Sequence, residues 1–380
     1  MSAVMPAGHS HEETPLAAKL RRRMAQQGPM SVAEYMEACL ADPDHGYYLT
    51  RDPLGACGDF ITAPEISQIF GELIGLWCAE AWRLIGTPST FHLAEAGPGR
   101  GTLMADALRA ARLVPEFLDA LQLHLIETSP VLREEQKRRL GSFAPRWHER
   151  IDALPPGPLI LIGNEFLDCL PVRQFQLRDG AWYERCVTAT HDGFAFTLAS
   201  TPLDDVSLIP EPVRRQARPG DLAEVRPALK SLLADLARRA EAAPLIALFI
   251  DYGHLRSAPG ESLQAVGRHA FADPLAQPGN LDLTAHVDFA ALAEEAREVG
   301  LCTHGPLSQF AFLMALGLAQ RCSQLLKTAG AHQREEISTA AARLADPQGM
   351  GGLFKVIAVT GRDVPPLPAI TAGAAERGTG

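Results

Sequence analysis

The stretch Phe91-His92-Leu93-Ala94-Glu95-Ala96-Gly97-Pro98-Gly99-Arg100-Gly101-Thr102-Leu103 reads as an apolar strand that enters a glycine-rich turn and leaves it as a helix. Gly97, Gly99 and Gly101 let the backbone turn sharply and approach a ligand with no Cβ in the way, while the helix offers free N–H groups. A dinucleotide fingerprint places its third glycine three residues after the second, and here that position is Thr102. What remains is an acid, Glu95, at the strand's end, followed by a turn holding Pro98 between its first two glycines. A carboxylate there repels a pyrophosphate but suits a ligand carrying ammonium and sulfonium charges. S-adenosylmethionine (SAM) is such a ligand.

A second acidic strand end supports this reading. Leu121-Gln122-Leu123-His124-Leu125-Ile126 predicts the next buried parallel strand, and Glu127 follows where a doubly wound fold places the acid that grips a ribose diol. Leu159-Ile160-Leu161-Ile162-Gly163 is wholly apolar, as a central strand should be, and ends in Asn164-Glu165-Phe166-Leu167-Asp168. Polar groups at the carboxyl end of such a strand face the ligand crevice, although Asp168 reads equally as a helix cap or solvated turn. Leu245 to Ile250 is a further buried strand, ending in Asp251-Tyr252-Gly253-His254, and Phe354 to Val359 a terminal one.

Upstream, Thr14 to about Leu40 suggests helices. Gly58-Asp59-Phe60-Ile61-Thr62-Ala63-Pro64-Glu65 reads as a capping box, with Thr62 as N-cap and Glu65 three residues on. A helix with one broad apolar face, Ile66 to Leu84, follows. Asp59, Phe60 and Thr62 either shape the helix start or lie over the cofactor. Between Val172 and Leu198 the period becomes two, broken by Asp179-Gly180 and Asp192-Gly193, which predicts an antiparallel meander. Leu263 to Pro278 is a long polar loop and a candidate lid. His254 and His286 are each a substrate contact or a satisfied loop histidine. The apolar run Phe310 to Ala319 is core or a partner surface, too short to cross a bilayer.

The fold class expected is α/β, a doubly wound, mostly parallel sheet. An N-terminal helical extension (1–88) precedes core segments 89–170, 243–262 and 350–362. A meander with a helix (171–242) and a lid loop with helices (263–349) are inserted, and a disordered tail (363–380) ends the chain. The net charge of −10 argues against nucleic acid, and seven scattered cysteines without a Cys-x-x-Cys pair suggest neither disulfides nor zinc. No signal peptide is visible, the first dozen residues read as disordered, and a cytoplasmic location is expected.

Gly46-Tyr47-Tyr48, Gly58 to Glu72, Glu95 to Leu103, Asn164 to Val172, Phe249 to His254, Asp282 to Phe289 and Met350 to Lys355 together resemble one family, over roughly residues 15–360. It is the SAM-dependent methyltransferases related to the mitochondrial complex I assembly factor and protein arginine methyltransferase. Leu54 and Cys57 depart from it where Phe and Ala are expected. The resemblance implies a class I methyltransferase fold, and symmetric dimethylation of a protein arginine by analogy with the mitochondrial members. It also implies that the end of the central strand meets the methyl acceptor. Glu165 and Asp168 are then the carboxylates that orient a guanidinium, with Asp251 and His286 as further candidates. Glu95, Gly97, Pro98, Gly99, Gly101, Glu127 and Asn164, with Asp59, Phe60 and Thr62, are the expected SAM contacts. The expected partners are a protein substrate with an accessible arginine, such as a complex I subunit, and a second copy in a homodimer. No nucleic acid, metal or membrane insertion is expected. The competing readings are a small-molecule methyltransferase closed by the 263–278 loop, and a SAM-binding assembly factor without turnover.

Overall fold

The computed structural model describes residues 13–50, 62–267 and 270–370. Asp59, Phe60, the first dozen residues and the last ten lie outside them.

Among the described residues, seven strands form the main path of the central sheet: β1 (Phe91–Ala96), β2 (Leu121–Ile126), β3 (Arg146–His148), β4 (Leu159–Asn164), β5 (Leu245–His254), β6 (Cys302–Ser308) and β7 (Phe354–Thr360), with the two-residue strand Val287–Asp288 pairing off it with β5. They lie in the order β3-β2-β1-β4-β5-β7-β6, parallel from β3 to β5, with β7 antiparallel to both of its neighbours. Every residue of β1, β4 and β7 is buried, which is why these strands are mostly apolar on both faces rather than alternating. Helices cover both faces. Gln68–Leu84 and Thr102–Ala110 share one core with Leu93, Ile160 and Ile250; Pro227–Ala240 and Phe289–Glu298 share the other with Leu161, Leu245 and Phe249.

The strand order reverses between β1 and β4, so their carboxyl ends open a crevice there. The helices Gln68–Leu84 and Thr102–Ala110 cross closely behind it: a Cβ on Gly75 would stand 2.3 Å from the Ala107 carbonyl oxygen. Three imidazoles bond in a row across β1, β2 and β3. His92 Nε2 meets the Pro156 carbonyl at 3.0 Å, His92 Nδ1 meets His124 Nε2 at 3.0 Å, and His124 Nδ1 meets His148 Nε2 at 2.8 Å. The carbonyl can only accept, so each ring carries its proton on Nε2. Burial lowers all three pKa values, that of His124 to about 3.

Several expectations are corrected. The 263–278 segment is not a lid loop: Gln264–Gly267 pairs with Ala270–Ala272 and Asp282–Thr284. Leu263, Ala265 and Leu275 are buried against Leu16, Leu20 and Tyr35 of the N-terminal helices. Helix Pro227–Ala240, strand β6 and helix Phe289–Glu298 pack into the central layers rather than into insertions. Residues 363–370 are no disordered tail, since Leu367 and Ile370 are buried and Trp77 Nε1 donates to the Pro368 carbonyl at 3.0 Å. The meander occurs as expected, Arg173–Arg178, Ala181–Thr190 and Gly193–Pro202, joined by Met30–Ser31 and Leu222–Val225.

Candidate active site

A cavity of about 270 Å³ lies over the carboxyl ends of β2, β1, β4 and β5. Its floor is the glycine turn. Gly97, Gly99 and Gly101 take φ of +64°, +52° and +76°, the left-handed region in which a Cβ is costly. Gly97, Pro98 and Gly99 border the cavity, whereas Gly101 sits below it as N-cap of Thr102–Ala110, its N–H donating to the Pro98 carbonyl at 2.7 Å.

Glu95 is 3 % exposed, its Oε2 has no partner within the protein, and desolvation raises its pKa to about 8. Asn164 borders the cavity too, with a buried Oδ1 that also lacks a partner. Two orphaned buried oxygens beside a Cβ-free turn are what a ligand bearing N–H groups would satisfy. Glu127 borders the opposite end; its carboxylate accepts from Ser129 N at 2.8 Å and Gln136 Nε2 at 3.2 Å. Burial pushes its pKa up against those bonds.

The sequence reading missed Gln136. Fully buried in an otherwise polar helix, Pro130–Leu140, it also donates to the Gly99 carbonyl at 2.6 Å and so ties the glycine turn to Glu127. A glutamine at an inward helical position was the available signal.

Past the tip of β4, Glu165 holds φ +50°, an unusual conformation for a residue with a side chain, of the kind that clusters at functional sites. Its Oε1 accepts from Ala63 N at 3.2 Å and Asn164 Nδ2 at 3.3 Å. Desolvation, then the Asp168 charge, raise its pKa to about 8. Asp168, 5 % exposed, also borders the cavity; burial raises its pKa, opposed by a hydrogen bond from Tyr252 and the charge of Arg226.

Two expected catalytic residues are not brought there. Asp251 is fully buried, and its Oδ2 accepts the N–H groups of Phe166, Leu167 and Asp168 at 3.1, 2.8 and 3.2 Å, its Oδ1 that of Tyr252 at 2.9 Å. It pins the loop that carries Glu165. His286 borders a second cavity with His254, Glu224 and Glu295, because Arg226 grips the Ala285 and His286 carbonyls and turns the chain away. Thr62 borders the main cavity as N-cap of Ala63–Ile66, but the capping box is not made. Glu65 instead accepts from Thr102 Oγ1, and Ser67 caps the long helix Gln68–Leu84.

Residues 73–307 match a family model described as S-adenosyl-L-methionine-dependent methyltransferase. The chain belongs to this family. The mitochondrial protein arginine methyltransferase NDUFAF7 homolog of Drosophila melanogaster is 37% identical, the alignment covering 90% of this chain and 84% of that protein. The human mitochondrial protein arginine methyltransferase NDUFAF7 is 33% identical over 91% of this chain and 83% of its own length. A crystal structure of a superfamily member from Burkholderia thailandensis, bound to S-adenosyl-homocysteine, superposes with a TM-score of 0.79 at 29% identity, covering 93% of each chain. The protein is thus a SAM-dependent methyltransferase, and the orphaned oxygens of Glu95 and Asn164 with the glycine turn fit that cofactor.

These relatives overturn the expected cytoplasmic location, because both are named as mitochondrial. The expectation rests on scattered cysteines, which do not distinguish one compartment from another. Among the described residues, no cluster of His, Cys, Asp or Glu could hold a metal ion, and no helix is long and apolar enough to cross a membrane.

Proposed function

We propose that this methyltransferase transfers a methyl group to an arginine of a protein substrate. The observation that carries the reading is the acidity of the cavity beyond β4. Glu165, Asp168 and Asp282 border it, and Arg100, at the glycine turn, is the one lysine or arginine among the described lining residues. A guanidinium presents planar N–H groups that paired carboxylates orient. The naming of the relatives as protein arginine methyltransferases supports the same acceptor. A complex I subunit is the substrate expected within this reading, and a homodimer the other partner expected.

SAM supplies a methyl group already activated by its sulfonium, so the chain must position the acceptor and take up one proton. The unpaired oxygens of Glu95 and Asn164 would accept N–H groups of the bound cofactor, and Glu127 would accept from its ribose hydroxyls. Glu165, with both bonds from the described loop falling on Oε1, offers Oε2 to the guanidinium, while Asp168 receives the proton that the acceptor nitrogen releases. Asp251 fixes the geometry of both through the backbone. The small-molecule alternative relied on a closing loop at 263–278, and that segment is packed instead.

Incubation with radiolabelled SAM and a mitochondrial lysate should label a protein on arginine. Glu165→Gln should cut single-turnover transfer on the order of a hundredfold while S-adenosylhomocysteine affinity stays within a few-fold, because the charge acts on the acceptor. Label confined to small molecules would remove the arginine reading. Loss of affinity in parallel with rate would move Glu165 to the cofactor.

A further inference from the structure

The acceptor end of the cavity is not built by the methyltransferase core alone. Tyr48 comes from the short helix Tyr47–Thr50 of the N-terminal extension, and Asp282 opens the strand Asp282–Thr284, more than two hundred residues later. Both border the cavity, and the Tyr48 hydroxyl donates to Asp282 Oδ1 at 2.8 Å. Tyr252, at the end of β5, and Asp168 also border the cavity. Asp282 and Asp168 are each 5 % exposed.

Two tyrosines and two buried carboxylates thus border the cavity together with Glu165, one phenol bonded to one carboxylate. The bond to Asp282 fixes the Tyr48 ring at the cavity wall. Tyrosine rings attract delocalised cations, and a guanidinium, planar and weakly hydrated, gains more from them than a compact ammonium does.

We propose that the pairs Tyr48–Asp282 and Tyr252–Asp168 form the slot that selects the methyl acceptor, a guanidinium, and that the bond from Tyr48 to Asp282 closes this slot by joining the N-terminal extension to the 263–285 segment. Acceptor choice then draws on the N-terminal extension and the 282–284 strand as well as on the ends of β4 and β5. The proposal rests on the arginine reading and adds Tyr48, Asp282 and Tyr252 as acceptor-selecting residues beside Asp168.

The test is calorimetric titration of a glycine-arginine peptide into the full chain saturated with S-adenosylhomocysteine, with the matching citrulline and lysine peptides as probes. The comparison covers wild type, Tyr48→Phe, Asp282→Asn and Tyr252→Phe. The wild type should bind the arginine peptide at least tenfold more tightly than either other probe. Each variant should lose about tenfold for arginine while its affinity for S-adenosylhomocysteine stays within twofold and its melting temperature within a few degrees. Phenylalanine keeps the ring and removes only the hydroxyl, so a purely structural role would not separate the two affinities. If the variants bind arginine as the wild type does, the slot is wrong and the arginine reading stands. If they lose cofactor and peptide together, these residues serve the fold. Where the wild type itself fails to prefer arginine over citrulline, the arginine reading falls and the slot with it.

Discussion

Glu95 and Glu127 stand on neighbouring strands, both acidic and both buried, yet they do different work. Glu127 has Ser129 and Gln136 to hold its charge, while Glu95 keeps an unpartnered oxygen. Glu127→Gln should weaken S-adenosylhomocysteine by about 1.5 to 3 kcal/mol, the range for hydrogen bonds to a charged group. Calorimetry would read this directly, and an unchanged dissociation constant would move the ribose acid elsewhere. Single residues also mark the limit of sequence reading. A carboxylate after a buried strand looks alike in sequence whether it faces a ligand, as at Glu165, or gathers four backbone N–H groups, as at Asp251. Only the path of the 164–168 loop distinguishes the two.

Elements were more legible than side chains, because periodicity reports burial. The apolar runs of β1, β4 and β5 and the Asp-Gly turns of the meander lie where the pattern puts them. Strand β6 escaped because Gly305 and Pro306 interrupt it, an interruption that an edge strand tolerates and a central one does not. The 263–278 segment misled because its partners are remote in sequence: Thr14 donates to the Pro278 carbonyl and Tyr35 to that of Pro274. Packing of helices against one another left a subtler trace in small residues. Gly71 would set a Cβ 2.6 Å from Asp106 Cβ, and Gly75 one 2.3 Å from the Ala107 carbonyl oxygen. Gly75→Ala must therefore push the helix Thr102–Ala110 away, and with it the glycine turn at its start. We expect a loss on the order of 3 kcal/mol in denaturant unfolding, as for overpacked cores, together with weaker S-adenosylhomocysteine binding. An unaltered midpoint would mean that the helices slide apart at no cost.

At the scale of the molecule, two sets of buried titratable groups oppose each other. Glu95 and Glu165 have folded pKa values of about 8 against 4.5 in the unfolded chain, so the folded state binds more protons between those limits. Stability from these groups grows as pH falls from above 8. His92, His124 and His148 have folded values below 6.5, so the unfolded state takes up their protons first and stability is lost below that point. The melting temperature of the ligand-free protein should accordingly rise from pH 8.5 to 6.5 and then stop rising. Saturating S-adenosylhomocysteine should flatten the first limb, since its ammonium keeps Glu95 ionised. A ligand-free profile flat between pH 8.5 and 6.5 would contradict the placement of these acids.

The position of β7 bears on how the chain is made. It lies between β5 and β6, yet it comes after both of them and after every other strand of the described residues, and Leu367 and Ile370 join the core after it. Until residues 354–360 leave the ribosome, the outer edge of β5, with its run Leu245 to Ile250, has no neighbour to pair with. The nascent chain thus carries this apolar run with one edge open through the synthesis of the hundred or so residues that separate the two, an interval in which strand pairing cannot shield it.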